Sequence, residues 1–110
     1  MVKPKVIATA AKLARQKSRH TQHRHAVLIM RGNLIVATGW NGSERHAEIM
    51  ALTHAYTDAE GADAFSIRVR KSGLLGMARP CPACMQALKL AGIRRVQYST
   101  NDNGFITEEI

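Results

Sequence analysis

Two short segments constrain this chain more than anything else in it: His46-Ala47-Glu48, and further on Pro80-Cys81-Pro82-Ala83-Cys84. One imidazole and two thiolates form a donor set suited to Zn²⁺, and three protein ligands leave the fourth tetrahedral position for water. An open position marks a catalytic metal site rather than a structural one. Glu48 follows the histidine by two residues and is not counted as a ligand, which leaves its carboxylate available for proton transfer. Any fold that uses this pattern must bring two distant helix starts to one point.

At 110 residues the chain fits one domain, residues 1–110, and buries roughly two-thirds of its unfolded surface in a single core. No apolar run reaches the ~20 residues of a membrane span, so no membrane partner is expected. The opening Met1-Val2-Lys3-Pro4-Lys5 leads into a basic helix rather than a signal-peptide core. Both cysteines sit in the motif, none remains for a separate disulfide, and a reducing, cytoplasmic location is expected.

Charge is the second constraint. The formal net charge is +8, and no acidic residue precedes Glu44, whereas Lys3, Lys5, Lys12, Arg15, Lys17, Arg19, Arg24 and Arg31 all do. Such a field attracts phosphates, on a small nucleotide or along a nucleic-acid strand. A solvated basic helix explains the same residues, so charge alone does not establish nucleic-acid binding.

Hydrophobic periodicity supplies the elements. Pro4 suits the first turn of a helix that runs to about Lys17, with Val6, Ala10, Leu13 and Ala14 on one side. Ser18 to His25 reads as an exposed basic connection; its His20, His23 and His25 offer a second, less favoured metal site. The apolar run 26–30 and Leu34-Ile35-Val36-Ala37 form a hairpin across Gly32-Asn33, covered on both sheet faces. His46 opens a helix to about Tyr56 whose apolar residues cover most of its circumference, with His54 turned away from the motif. Phe65 to Arg70 alternates as a strand with one less buried face, and Ser72 to Arg79 is a loop. Cys81 to Ala91 is the second motif helix, stopped by Gly92. The strand 94–100, the turn 101–104 and a short antiparallel return through Phe105-Ile106-Thr107 complete the chain. Strands alternating with helices around a sheet give an α/β sandwich.

Histidine-x-glutamate followed by Pro-Cys-x-x-Cys is a signature of nucleobase deaminases, and the chain resembles the cytidine/deoxycytidylate deaminases over nearly its whole length. Thr38-Gly39-Trp40-Asn41-Gly42 and His46-Ala47-Glu48-Ile49-Met50-Ala51-Leu52 are similar to the deoxycytidylate and tRNA-adenosine branch. The resemblance implies a three-layer α/β/α sandwich with a mixed sheet of about five strands. It implies Zn²⁺ on His46, Cys81 and Cys84, with Glu48 as the catalytic proton shuttle. It also implies substrate contacts from Asn41 and from the backbone N–H of Ala47. The residue before the proline is Arg79 here, where relatives often carry an acidic or small side chain; its carbonyl would hold the leaving amine, or its guanidinium a substrate phosphate. A homo-oligomer is implied as well.

Two features depart from that pattern. The deoxycytidylate branch places a helix between its last two strands, whereas the four residues after Thr100 leave room only for an antiparallel return. The link from Gly42 to His46 is also short. The expected function is zinc-dependent hydrolytic deamination of a cytosine-type base on a small nucleoside or nucleotide. Deamination of bases in single-stranded DNA or RNA is the nearest alternative, and a non-catalytic zinc-binding nucleic-acid module the next. A thioredoxin-like use of Cys81 and Cys84 is disfavoured because no proline follows Pro82.

Overall fold

The computed structural model of the protein describes residues 3–18, 23–42 and 46–110. His20 of the histidine tract and the link 43–45 therefore lie outside the described residues. Helix α1 (Pro4–Lys17) begins with the proline in its first turn, where a missing N–H costs nothing. It buries Ala10, Ala11 and Ala14 and leaves its lysines in solvent.

Strands β1 (Arg24–Arg31) and β2 (Leu34–Trp40) form the expected hairpin, with Arg31 opposite Leu34 across the two-residue turn. Helix α2 (Ala47–Ala55) follows, then a single 3-10 turn and strand β3 (Asp63–Val69). Within the connection read as loop, Leu75–Gly76 pairs with β3 as a two-residue strand, β4. Helix α3 (Pro82–Leu90), β5 (Arg95–Ser99) and β6 (Phe105–Glu109) complete the order.

The sheet runs β2-β1-β3-β5-β6. β5 lies parallel to β3 because α3 provides the crossover between them. β6 returns antiparallel to β5, with Ser99 opposite Phe105 and Arg95 opposite Glu109, as the short turn requires. Thr100 N–H closes that turn on the Gly104 carbonyl at 3.0 Å.

Two apolar layers result, one on each sheet face. Ala10, Ala14, Leu28, Phe65, Ile67 and Val69 pack under α1. Val27, Ile29, Ala47, Ala51, Leu88 and Val96 pack under α2 and α3. The alternation of Val27 and Ile29 with Leu28 is the period-2 pattern of a strand covered on both sides. This is the three-layer α/β/α arrangement, and α2 and α3 share one side of it.

Helix α2 is less enclosed than its composition suggested. Ala47, Glu48, Ala51 and Ala55 are buried, but Ile49 remains 39 % exposed. The reason is close approach: at Gly39 of β2 a Cβ would lie 2.3 Å from the Ala47 carbonyl oxygen and 2.4 Å from the Ala51 nitrogen. The alanine face of α2 sits flat on the strand, so the larger side chains point sideways and out.

Candidate active site

Both halves of the motif stand at helix N-termini on the same side of the sheet. His46 is the N-cap of α2, and its side chain makes no capping bond. Cys81 is the N-cap of α3, Pro82 occupies the first helical position, and Cys84 follows one turn later. A Schellman-type end fixes the other terminus of α3, with Gly92 N–H on the Lys89 carbonyl (3.0 Å) and Ile93 N–H on that of Leu88 (3.1 Å). Gly92 takes φ +90° there, as the sequence signal requires.

The ligand atoms of His46, Cys81 and Cys84 lie within 4.8 Å of one another. His46 Nδ1 is 3.4 Å from Cys84 Sγ. Zn–N near 2.0 Å and Zn–S near 2.3 Å at a tetrahedral angle predict an N···S edge of about 3.5 Å. The donors thus fit zinc in chemistry and spacing. Among the described residues no other group of three or more His, Cys, Asp and Glu side chains has such proximity. Cys81 is exposed and Cys84 buried. Burial first, then the Glu48 charge and Cys81, push the Cys84 thiol up to about 12; a cation in the proton's place would relieve both penalties.

Glu48 lies in the first turn of α2 and is 2 % exposed. Its Oε1 is buried without a hydrogen-bond partner. A buried polar atom left unpaired costs about 1–3 kcal/mol, so this carboxylate oxygen does not stabilise the fold where it stands.

Asn41 sits just past β2 with its amide heavily engaged. Its Oδ1 accepts from the His25 backbone N–H at 3.0 Å and from the Ser18 hydroxyl, and its Nδ2 donates to the His23 carbonyl at 2.5 Å. An amide offers two acceptor lone pairs and two donors, so one N–H remains for a further partner. Ala47 is fully buried at the start of α2. Arg79 is committed elsewhere: its Nε and Nη2 hold Glu108 at 2.6 and 3.1 Å, and Tyr98 O–H donates to the same carboxylate at 2.6 Å. The Arg79 bond first and the Tyr98 bond second hold Glu108 down to about 2. His54 Nδ1 meets the Thr38 carbonyl at 2.7 Å, a structural role.

Three residues at the rim carried no signal in the motif. His25 belongs to β1 and not to an exposed loop; its side chain is 18 % exposed and its Nδ1 is 3.8 Å from Glu48 Oε1. Ser66 is buried behind it, with its Oγ 2.5 Å from His25 Nε2. Arg68, opposite His25 in the register, bonds His23 through Nη2 and has a buried Nε without a partner. Among the described residues no carboxylate pairs with it. The signal for all three was parity: His25 shares the face of Val27 and Ile29, and Ser66 and Arg68 that of Ala64.

The sequence model of the cytidine and deoxycytidylate deaminase zinc-binding region matches residues 2–100. The chain belongs to this deaminase family. Sequence comparison with curated proteins gives no match. Among solved structures, the cytidine deaminase of Burkholderia pseudomallei is similar at TM-score 0.72 and 19 % identity, over 98 % of this chain and 93 % of that one. The dCMP deaminase of cyanophage S-TIM5 is similar at 0.60 and 20 %, over 90 % and 86 %. Acinetobacter baumannii RibD is similar at 0.66 and 21 % over 87 % of this chain, which spans only 27 % of the RibD chain. These likenesses establish the deaminase fold, with the ligand helices α2 and α3 in one layer. A cavity of about 350 Å³ lies on the opposite face among Val6, Met30, Phe65 and Gln97, away from the three candidate ligands.

Proposed function

We propose that this deaminase-family protein is a zinc-dependent hydrolase that converts a cytosine-type base, on a nucleoside or nucleotide, to the uracil form with release of ammonia. The observation that carries the reading is the convergence of His46, Cys81 and Cys84 beside the buried, unpartnered Oε1 of Glu48. His46, Cys81 and Cys84 would hold zinc there, and the metal would supply Lewis acidity and a lowered pKa for the attacking water. Glu48 takes a proton from the attacking water and delivers it to the ring nitrogen beside the attacked carbon; it then takes the proton of the newly added hydroxyl and passes it to the departing amine, which leaves as ammonia. The Ala47 backbone N–H and the remaining Asn41 N–H hold the base and its sugar.

A phosphate on the substrate accounts for Arg68. A half-buried guanidinium that no carboxylate pairs among the described residues is costly, and a substrate phosphate would supply a counter-charge. We assign the phosphate to Arg68 rather than Arg79 because Glu108 already neutralises the latter. Deamination within a single strand is the second reading, favoured by the net charge of +8. Much of that charge lies on α1, across the sheet from the ligands, which weighs for the small substrate. A closed structural zinc would need a fourth protein ligand, and none joins the three among the described residues.

Ammonia release from zinc-loaded protein tests the reading, with cytidine, deoxycytidine, their monophosphates, guanine and single-stranded oligonucleotides as substrates. Turnover of a monophosphate that drops on Arg68→Gln while nucleoside turnover persists is the expected pattern. Ammonia from guanine or oligonucleotides alone would overturn the small cytosine substrate.

A further inference from the structure

The segment 76–80, which leads into Cys81, is fastened residue by residue to the strands around it. The Gly76 carbonyl accepts from Ser99 Oγ at 2.7 Å, and Met77 N–H donates to Asn101 Oδ1 at 2.9 Å. Ala78 N–H donates to the Ser99 carbonyl at 2.9 Å, and the Ala78 carbonyl accepts from Ser66 Oγ at 2.8 Å. Pro80 is fully buried. Arg79 is fastened through its side chain, whose Nε and Nη2 reach separate oxygens of Glu108 in β6. Tyr98 O–H joins them on Oε2. A partly exposed ion pair contributes little unless it is bidentate or networked. This pair is both.

We propose that Glu108 is a positioning residue for the metal centre: through Arg79 it holds Cys81 in the place from which that thiolate meets zinc. Between Arg79 and Cys81 stands only Pro80, whose ring locks its own φ and keeps Arg79 extended. A shift of Arg79 is therefore carried on to Cys81 instead of being absorbed. Cys84 is buried within α3 and takes its place from the packing of that helix. Cys81 is exposed at the helix cap and depends on the chain that precedes it. The device exists because β6 returns antiparallel to β5, which sets Glu108 opposite Val96 and within reach of Arg79. Groups that orient metal ligands change metal affinity by about 10- to 100-fold. Glu108 acts at one remove and is partly exposed, so the lower end applies.

The inference rests on the zinc site of the proposed function, and the experiment keeps the two apart. Zinc-loaded protein is mixed with excess metallochromic chelator, and zinc release is followed by absorbance. Glu108→Gln should release zinc about tenfold faster than wild type. Arg79→Gln should do the same, and the double variant no more than either, because both changes break one link. Glu109→Gln removes the next charge along β6, opposite Arg95, and should keep the wild-type rate. Release from Glu108→Gln no faster than from Glu109→Gln, or additive effects in the double variant, overturns the proposal. Both changes fall on partly exposed side chains, so either variant carries the test should the other not fold. If the wild type takes up no zinc, the zinc reading fails, and hydrogen exchange decides the positioning alone. In metal-free protein the Met85 amide, bonded to the Cys81 carbonyl at 2.8 Å, should exchange faster in Glu108→Gln, while Leu28 in buried β1 keeps its rate. An unchanged Met85 amide, or an equal rise at Leu28, overturns the proposal.

Discussion

Gly39 lies directly beneath Ala47: a Cβ at Gly39 would stand 2.3 Å from the Ala47 carbonyl oxygen. The obstruction is backbone, which cannot swing aside as a side chain can. Gly39→Ala must therefore push α2 off β2 and carry His46 and Glu48 with it. Overpacking costs typically 1–3 kcal/mol, and a rigid contact this short should reach the top of that range or exceed it. Thermal unfolding and zinc content should both fall. An alanine variant with wild-type stability and zinc would disprove the close approach.

Metal content follows from the donor set. Purified protein should hold about one zinc per chain, and Cys81→Ala or Cys84→Ala should lose it. Full occupancy in the double variant would move the site elsewhere.

Zinc uptake should release protons. In the metal-free protein Cys84 is a thiol at neutral pH, its pKa pushed up to about 12 by burial. The metal must displace that proton, so affinity should weaken steadily as pH falls. Calorimetry in buffers of different ionisation enthalpy measures the released protons directly; binding with no proton release would contradict a Cys84 ligand.

Glu48→Gln separates chemistry from metal holding. The change is nearly isosteric and the amide cannot accept and return a proton. General acid–base catalysis contributes about 10²–10⁴-fold, and one group serving several transfers should put the loss at the upper end or beyond. Zinc and fold should persist. Zinc loss in this variant would instead make Glu48 a ligand.

The Arg79–Glu108 pair gives a pH signature at the other end of the chain. Glu108 is held at about 2 instead of 4.5, so its folded value lies below the unfolded one. The pair contributes stability above pH 4.5 and loses it as pH falls toward 2. Carbon NMR of the Glu108 carboxyl should show a midpoint near the lower value. Glu108→Gln should raise hydrogen exchange in β6. A midpoint near 4.5 would mean that the pair does not form in solution.

The legible parts of the site were those set by local chemistry. His46, Glu48, Cys81 and Cys84 declare themselves through residue type and spacing, since few side chains bind zinc and fewer place a carboxylate two residues from a ligand. Pro4, Gly92 and the turn before Phe105 fixed element ends for equally local reasons: a locked φ, a left-handed cap, a closed turn. The family resemblance rested on these same residues.

His25 and Arg79 show where such reading stops. Histidine between basic residues looks solvated, yet the parity of Val27 and Ile29 turns His25 inward, and only the pairing of β1 with β3 brings Ser66 behind it. Arg79 beside the cysteines looked free for a phosphate, until β6 returned beside β5 and delivered Glu108 from 29 positions away. The sequence by itself determined the candidate ligand set, the carboxylate proposed to carry the proton and the order of the main elements, because each depends on residues a few positions apart. Which groups surround Glu48, and which cations are already neutralised, was decided by strand register and helix docking, because those set distances between residues that share no local signal.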